Sequence, residues 1–135
     1  MSPERSALMA RVGQRDTKPE TVVRGLAHGL GYRFRLHRRD LPGTPDLVFP
    51  RLRKVIFVHG CFWHRHPGCR LSSVPKTRHE FWQQKFVQNV ERDNRAVGDI
   101  QRLGWDVLIV WECETKIKEA LQSRLSEWLA SEACY

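Results

Sequence analysis

The sequence predicts an α/β domain, a mixed central β-sheet flanked by helices. Three observations carry that expectation. Residues 46–49 and 54–58 are short apolar runs with the length and β-branched content of central strands. Two longer stretches, starting near Thr77 and Thr115, carry apolar residues at helical spacing. A further β-branched run, residues 105–111, follows the first of those stretches, so strand, helix and strand read as a crossover within one sheet. With 135 residues, 41% of them hydrophobic, the chain is expected to fold as a single domain with its own core.

Each element has a local signature. Residues 1–16 are polar and basic, with Leu8, Met9 and Val12 at helical spacing. They are expected to form an arm that orders on a partner, ahead of a domain over residues 17–135. Thr17-Lys18-Pro19-Glu20 has the form of a capping box, opening a helix with Val22, Val23, Leu26 and Leu30 on one face and Gly31 as its stop. Residues 32–36 alternate large apolar side chains with Arg, as a half-buried strand does, and residues 40–45 are turn chemistry. After the strands at 46–49 and 54–58, Thr77-Arg78-His79-Glu80 forms a second capping box. The long helix it opens has Phe81, Phe86, Val90, Val97, Ile100 and Leu103 spaced for burial and ends at Gly104. A fourth strand spans 105–111, and a last helix runs from Thr115 to about Leu129 with Ile117, Leu121, Leu125 and Trp128. The predicted order is α-β-β-β-α-β-α.

Lys and Arg number 23 against 15 acidic residues, a formal charge of +8. Nucleic acid is the leading partner, since neutralising phosphates releases counterions; a merely solvated basic surface is the alternative. Five Trp residues favour nucleic acid, because exposed indoles stack on bases. No run approaches the roughly 20 apolar residues of a membrane span, and the N-terminus lacks a secretory apolar region. A cytoplasmic protein without a membrane partner is expected, with its four Cys as metal ligands or free thiols rather than disulfides. No exposed apolar stripe is evident, so a monomer is expected.

The most informative segment is residues 55–69, V-I-F-V-H-G-C-F-W-H-R-H-P-G-C. Cys61, His66 and Cys69 have C-x4-H-x2-C spacing, and a tetrahedral structural zinc needs one more ligand. If the fourth strand lies parallel beside the third, Cys113 closes that site; buried free cysteines are the competing explanation. Cys134 has no place in the scheme. Asp46, after Pro45, sits where a nuclease holds magnesium against a phosphate, although a turn-ending Asp is a common feature. His59 and His64 have the chemistry to move protons in phosphodiester hydrolysis. His64 is equally a second choice of zinc ligand, and His59 a hydrogen-bonded structural residue. Phe62 and Trp63 are placed either to wedge between base steps or to plug the zinc site. Trp82, next to Phe81, is core by default. Asp93 in Asn89-Val90-Glu91-Arg92-Asp93 is either a solvated helix charge or a group that orients an imidazole.

Taken together, P-D-L-V-F, V-I-F-V-H-G-C-F-W-H-R-H, T-R-x-E-F-W, N-V-E-R-D and G-W-D-V-L-I-V-W-E-C closely resemble the very short patch repair mismatch endonucleases, over about residues 9–116. The resemblance implies a restriction-endonuclease-like fold with one structural zinc. It implies Mg²⁺-dependent nicking of duplex DNA 5′ of the T in a T·G mismatch left by 5-methylcytosine deamination. By motif, Asp46 is the magnesium carboxylate, with the Val58 carbonyl as second protein ligand. His64 is the catalytic base, Asp93 its supporting acid, His59 the second active-site histidine and Glu20 an acid nearby. Cys61, His66, Cys69 and Cys113 are the zinc ligands. Phe62, Trp63 and Trp82 intercalate, and Met9 and Val12 brace the opposite groove. Partners implied are mismatched double-stranded DNA and mismatch-repair proteins. Restriction-type nucleases usually carry an acid-x-Lys pair on the third strand. Here that position reads Phe57-Val58-His59, which implies a histidine-based variant. A nuclease of another mismatch or site specificity, and a zinc-stabilised DNA-binding module without catalysis, are the alternatives.

Overall fold

The computed structural model describes residues 17–62, 64–69 and 78–131. The expectations for the arm with Met9 and Val12, and for Trp63, Thr77 and Cys134, fall outside these residues. The element order is α1 (Lys18–Gly29), β1 (Arg35–Leu36), β2 (Leu47–Phe49), β3 (Lys54–His59), α2 (His79–Arg102), β4 (Asp106–Trp111), a 3₁₀ turn (Glu112–Lys116) and α3 (Lys118–Ala130). This is the expected order. The four strands form one mixed sheet, β1-β2-β3-β4: the first two pairings are antiparallel and β3 and β4 run parallel.

Strand alternation sorts the core into two layers. Leu47, Phe49, Ile56, Leu108 and Val110 face α1 and α3, meeting Val23, Ala27, Leu121, Leu125 and Leu129. Val48, Val55 and Phe57 point the other way, with Ile100 of α2 and Leu41 of the preceding turn. Side chains of successive strand residues alternate between faces, so single-residue alternation along β2, β3 and β4 lets each strand serve both layers. Lys54, 1% exposed, starts β3. Its ammonium donates to the carbonyls of Trp128 and Ser131 at the end of α3, where the helix dipole favours a cation. Burial nonetheless pushes its pKa below the usual lysine value.

Local expectations hold unevenly. Thr17 caps α1 by accepting the Glu20 N–H at 3.4 Å, while the Glu20 carboxylate is turned to Arg24 and His37. The first strand pairs only over Arg35–Leu36, because the chain turns at His37 (φ 48°); Tyr32 and Phe34 still pack against Phe49. On α2 the buried stripe is Trp82, Phe86 and Ile100. Phe81 and Leu103, expected inside, are 43% and 53% exposed; Phe81 lies about 100° around the helix from Trp82. The last helix is split: Thr115 donates its hydroxyl to the Glu112 carbonyl in the 3₁₀ turn, and Ile117 is left 64% exposed at the junction. No helix among the described residues is long and apolar enough to cross a membrane.

Gly43 ties the turn after β1 to the rest of the fold. It has φ 74°, and a Cβ there would lie 2.6 Å from Ala96 Cβ and 3.1 Å from the Phe57 ring. Left-handed backbone and close approach both require glycine. Gly43→Ala is expected to cost about 2–4 kcal/mol from backbone strain and overpacking, read as a lower midpoint in urea unfolding.

Candidate active site and metal cluster

Two clusters stand at the carboxyl ends of the parallel strands, the usual place for ligands in open α/β sheets. The register runs from Lys54↔Asp106 to His59↔Trp111, so the loops after β3 and β4 begin side by side. The loop after β3 folds back tightly: the His64 N–H donates to the Gly60 carbonyl at 3.1 Å and the His66 N–H to the Cys61 carbonyl at 3.1 Å.

In the first cluster one donor atom each from Cys61, His66, Cys69 and Cys113 lies within 4.8 Å of the others. His66 Nδ1 is 3.7 Å from Cys61 Sγ and 3.4 Å from Cys113 Sγ. Bonds of about 2.3 Å to sulfur and 2.0 Å to nitrogen put S···N edges of a tetrahedron at ~3.5 Å, so the set fits a tetrahedral S₃N ion. The Cys113 N–H points at Cys61 Sγ (3.4 Å), and the Cys61 N–H donates to Glu112 Oε1 (3.2 Å). Burial, with the neighbouring thiols, pushes the Cys61 thiol up to about 12. A bare thiolate is therefore costly here, and a bound dication reverses that cost. The expectation that Cys113 meets the loop ligands through parallel strands holds. His64 lies outside this set.

The second cluster lines an open cleft of about 500 Å³ between the ends of β2 and β3 and the middle of α2. His64 Nδ1 is 2.5 Å from Asp93 Oδ2, which directs the other ring nitrogen, Nε2, to any reaction. The His64 ring stacks on His59 at 4.0 Å and 8°. His59 is 5% exposed, and burial, then the neighbouring His64, lowers its pKa to about 4. It is neutral near physiological pH.

Asp46 faces the same cleft. Its Oδ2 accepts the Val58 N–H at 2.6 Å, and its Oδ1 lies 3.8 Å from His37 Nε2. Burial, against the Val58 hydrogen bond and reinforced by the Glu20 charge, raises its pKa to about 7. Glu20, 2% exposed, is held at 3.1 Å by both Arg24 and His37. Two carboxylates brought together in partial burial form an oxygen-rich site for a hard divalent cation. Arg39 and Arg92 line the cleft and add positive charge beside it.

Phe62 packs edge-on against Trp82 (5.8 Å) and Phe86 (5.2 Å), with the Arg65 guanidinium 4.0 Å over the Phe86 ring. Trp82 is 8% exposed in this arrangement, and Phe81 is the more open aromatic. Sequence reasoning missed His37 and Trp111. Trp111 touches both clusters, stacking on His66 (4.2 Å, 13°) and meeting His59 edge-on (5.3 Å, 77°). His37 had no motif to mark it, while its φ of 48° belongs to structure alone.

Comparison with known proteins decides the family of the chain. A family profile described as "DNA mismatch endonuclease Vsr" matches residues 2–70. The DNA mismatch endonuclease Vsr of Escherichia coli is 49% identical over 95% of this chain and 85% of its own length. The chain belongs to the Vsr family of DNA mismatch endonucleases. The type II nicking enzyme V.XorIIP of Xanthomonas oryzae is 52% identical over 93% of this chain and 92% of its own. The type II nicking enzyme V.NmeAIP of Neisseria meningitidis is 37% identical, covering 91% and 87% respectively. Membership of the Vsr family makes the protein a DNA mismatch endonuclease.

The raised Asp46 pKa has a sign that can be measured. The folded state binds the Asp46 proton more tightly than the unfolded chain, which titrates near 3.9. That stabilisation is fully present below this value and is lost as pH rises to about 7. In magnesium-free buffer Asp46→Asn is therefore expected to unfold later in urea than wild type at pH 8, by on the order of 1–3 kcal/mol, with the gap closing toward pH 5.

Proposed function

We propose that the protein is a Mg²⁺-dependent endonuclease that nicks one strand of duplex DNA 5′ of the T in a T·G mismatch. The observation that carries the reading is the cleft itself, where a hydrogen-bonded His64–Asp93 pair faces a carboxylate site built on Asp46. The same parts serve the restriction-endonuclease-like reading of the sheet. The named activity of the Escherichia coli relative, mismatch endonuclease, supports the substrate class.

Asp46, with the Val58 carbonyl and with Glu20 close by, would hold the magnesium. A cation held there would supply positive charge that stabilises the phosphate and favours ionisation of the attacking water. His64 takes the proton of the attacking water on Nε2, and Asp93 stabilises the imidazolium through Nδ1. The water oxygen bonds to phosphorus as the bond to the leaving sugar oxygen breaks, and that oxygen takes a proton from solvent to leave as a hydroxyl. His59, neutral and stacked on His64, hydrogen-bonds the phosphate without adding a charge that would oppose protonation of its neighbour. Arg39 and Arg92 position the strand. Phe62, Trp63 and Trp82 unstack the mismatched step, at a cost of a few kcal/mol that is least where pairing is already weak. Trp82 would leave its contact with Phe62 to do so.

Zinc at Cys61, His66, Cys69 and Cys113 would be structural, closing four ligands with none left open for substrate. Metal analysis is expected to find about one zinc per chain. Cys113→Ser should lower both zinc content and thermal midpoint, and full stability in zinc-free protein would remove the structural role.

Incubation with Mg²⁺ and a duplex carrying one T·G mismatch tests the reading. A single nick 5′ of the T is expected, absent from the T·A duplex and from Asp46→Ala. Equal cutting of T·G and T·A would sink mismatch specificity, and preferred cutting of another mismatch would establish the alternative specificity.

A further inference from the structure

Three side chains from separate segments meet at one side of the cleft. Glu20 comes from α1, His37 from the turn after β1, and Asp46 from the residue before β2. One donor atom of each lies within 4.8 Å of the others. His37 Nε2 is 3.1 Å from Glu20 Oε2 and 3.8 Å from Asp46 Oδ1. Donors bonded at 2.0–2.2 Å to one ion, at angles of 90–120°, stand ~3.0–3.8 Å apart. The two His37 distances fall in that range, and the Glu20 and Asp46 donor atoms lie within 4.8 Å of each other, close enough for one ion to draw them into a shared shell.

The backbone holds His37 in this place. It has φ 48°, and its N–H donates to the Asp46 carbonyl at 3.3 Å, so imidazole and carboxylate are carried by hydrogen-bonded backbone segments. The His37 side chain is 13% exposed. Arg24, at 3.1 Å from Glu20 Oε2, shares that oxygen and offsets part of the charge.

We propose that His37 is a further protein ligand of the divalent cation at Asp46, so that Glu20, His37 and Asp46 form a carboxylate–imidazole–carboxylate centre beside the Val58 carbonyl. The proposal rests on Asp46 being the metal carboxylate. An imidazole nitrogen suits first-row transition ions, whereas Ca²⁺ takes oxygen ligands. The centre consequently accepts Mn²⁺ alongside Mg²⁺ and favours Mn²⁺ over Ca²⁺. If His37 only bridges the two carboxylates by hydrogen bonding, no metal–nitrogen bond forms.

Mn²⁺ binding to the full, zinc-loaded chain, followed by electron paramagnetic resonance, separates these cases. Spin-echo modulation from a directly bound imidazole nitrogen is expected in wild type. His37→Gln is expected to bind Mn²⁺ about tenfold more weakly or worse and to lose that modulation. His59→Gln is expected to keep it, and Asp46→Asn to lose Mn²⁺ binding. Wild-type Mn²⁺ without nitrogen modulation overturns the proposal, as does a His37→Gln variant with unchanged affinity and modulation. Modulation lost in His59→Gln also overturns it. In each of those cases the role of Asp46 stands so long as Asp46→Asn abolishes binding. Wild-type affinity in Asp46→Asn overturns the reading of Asp46 and the proposal with it.

Discussion

The parallel pairing of β3 with β4 is the constraint on which both clusters depend. Its register sets His59 against Trp111 at the carboxyl ends, so the loops leaving the two strands begin as neighbours. One supplies Cys61, His66 and Cys69, and the other supplies Cys113. The same loop returns His64 to the cleft, where α2 presents Asp93. β3 is buried along nearly its whole length, and a rigid central strand fixes where the loop after it begins. Trp111 joins the two clusters, one face on His66 and an edge contact with His59.

Charge is arranged on two scales. The chain as a whole is +8, which draws it to polyanions. Asp46 and Asp93 line the cleft with Glu20 buried beside Asp46, so negative charge is concentrated there. The protein bears opposing costs for this. Asp46, raised to about 7, loses stabilisation as pH rises through the acidic range, while buried His59, lowered to about 4, gains it as the unfolded chain's histidine deprotonates up to its usual 6.5. Between those limits the two slopes oppose each other, so the net stability of the metal-free fold changes less with pH than either group alone would dictate.

Much of this was legible in the residues. Element order followed from strand length, helical period and glycine stops, and Cys113 joined Cys61, His66 and Cys69 as soon as the strands were taken as parallel. Asp93 beside His64 was readable through its motif, although bare periodicity left it a helix charge. The features that escaped had physical reasons. Phe81 is apolar yet exposed, since the helix turns Trp82 inward and about 100° separates neighbours, and Leu103 is exposed as the C-cap just beyond the helix. Ile117 fell at a 3₁₀-to-helix junction that hydrophobic spacing does not encode. His37 entered the site through a left-handed turn, with no motif to announce it.

Single-turnover nicking of a T·G duplex by wild type, His64→Ala, Asp93→Asn and the double variant tests whether His64 and Asp93 act as one proton-accepting unit. Groups acting as a unit are non-additive. The double variant is expected to be no slower than His64→Ala alone. A double variant slowed by the product of the two single losses would show independent roles and refute the shared unit.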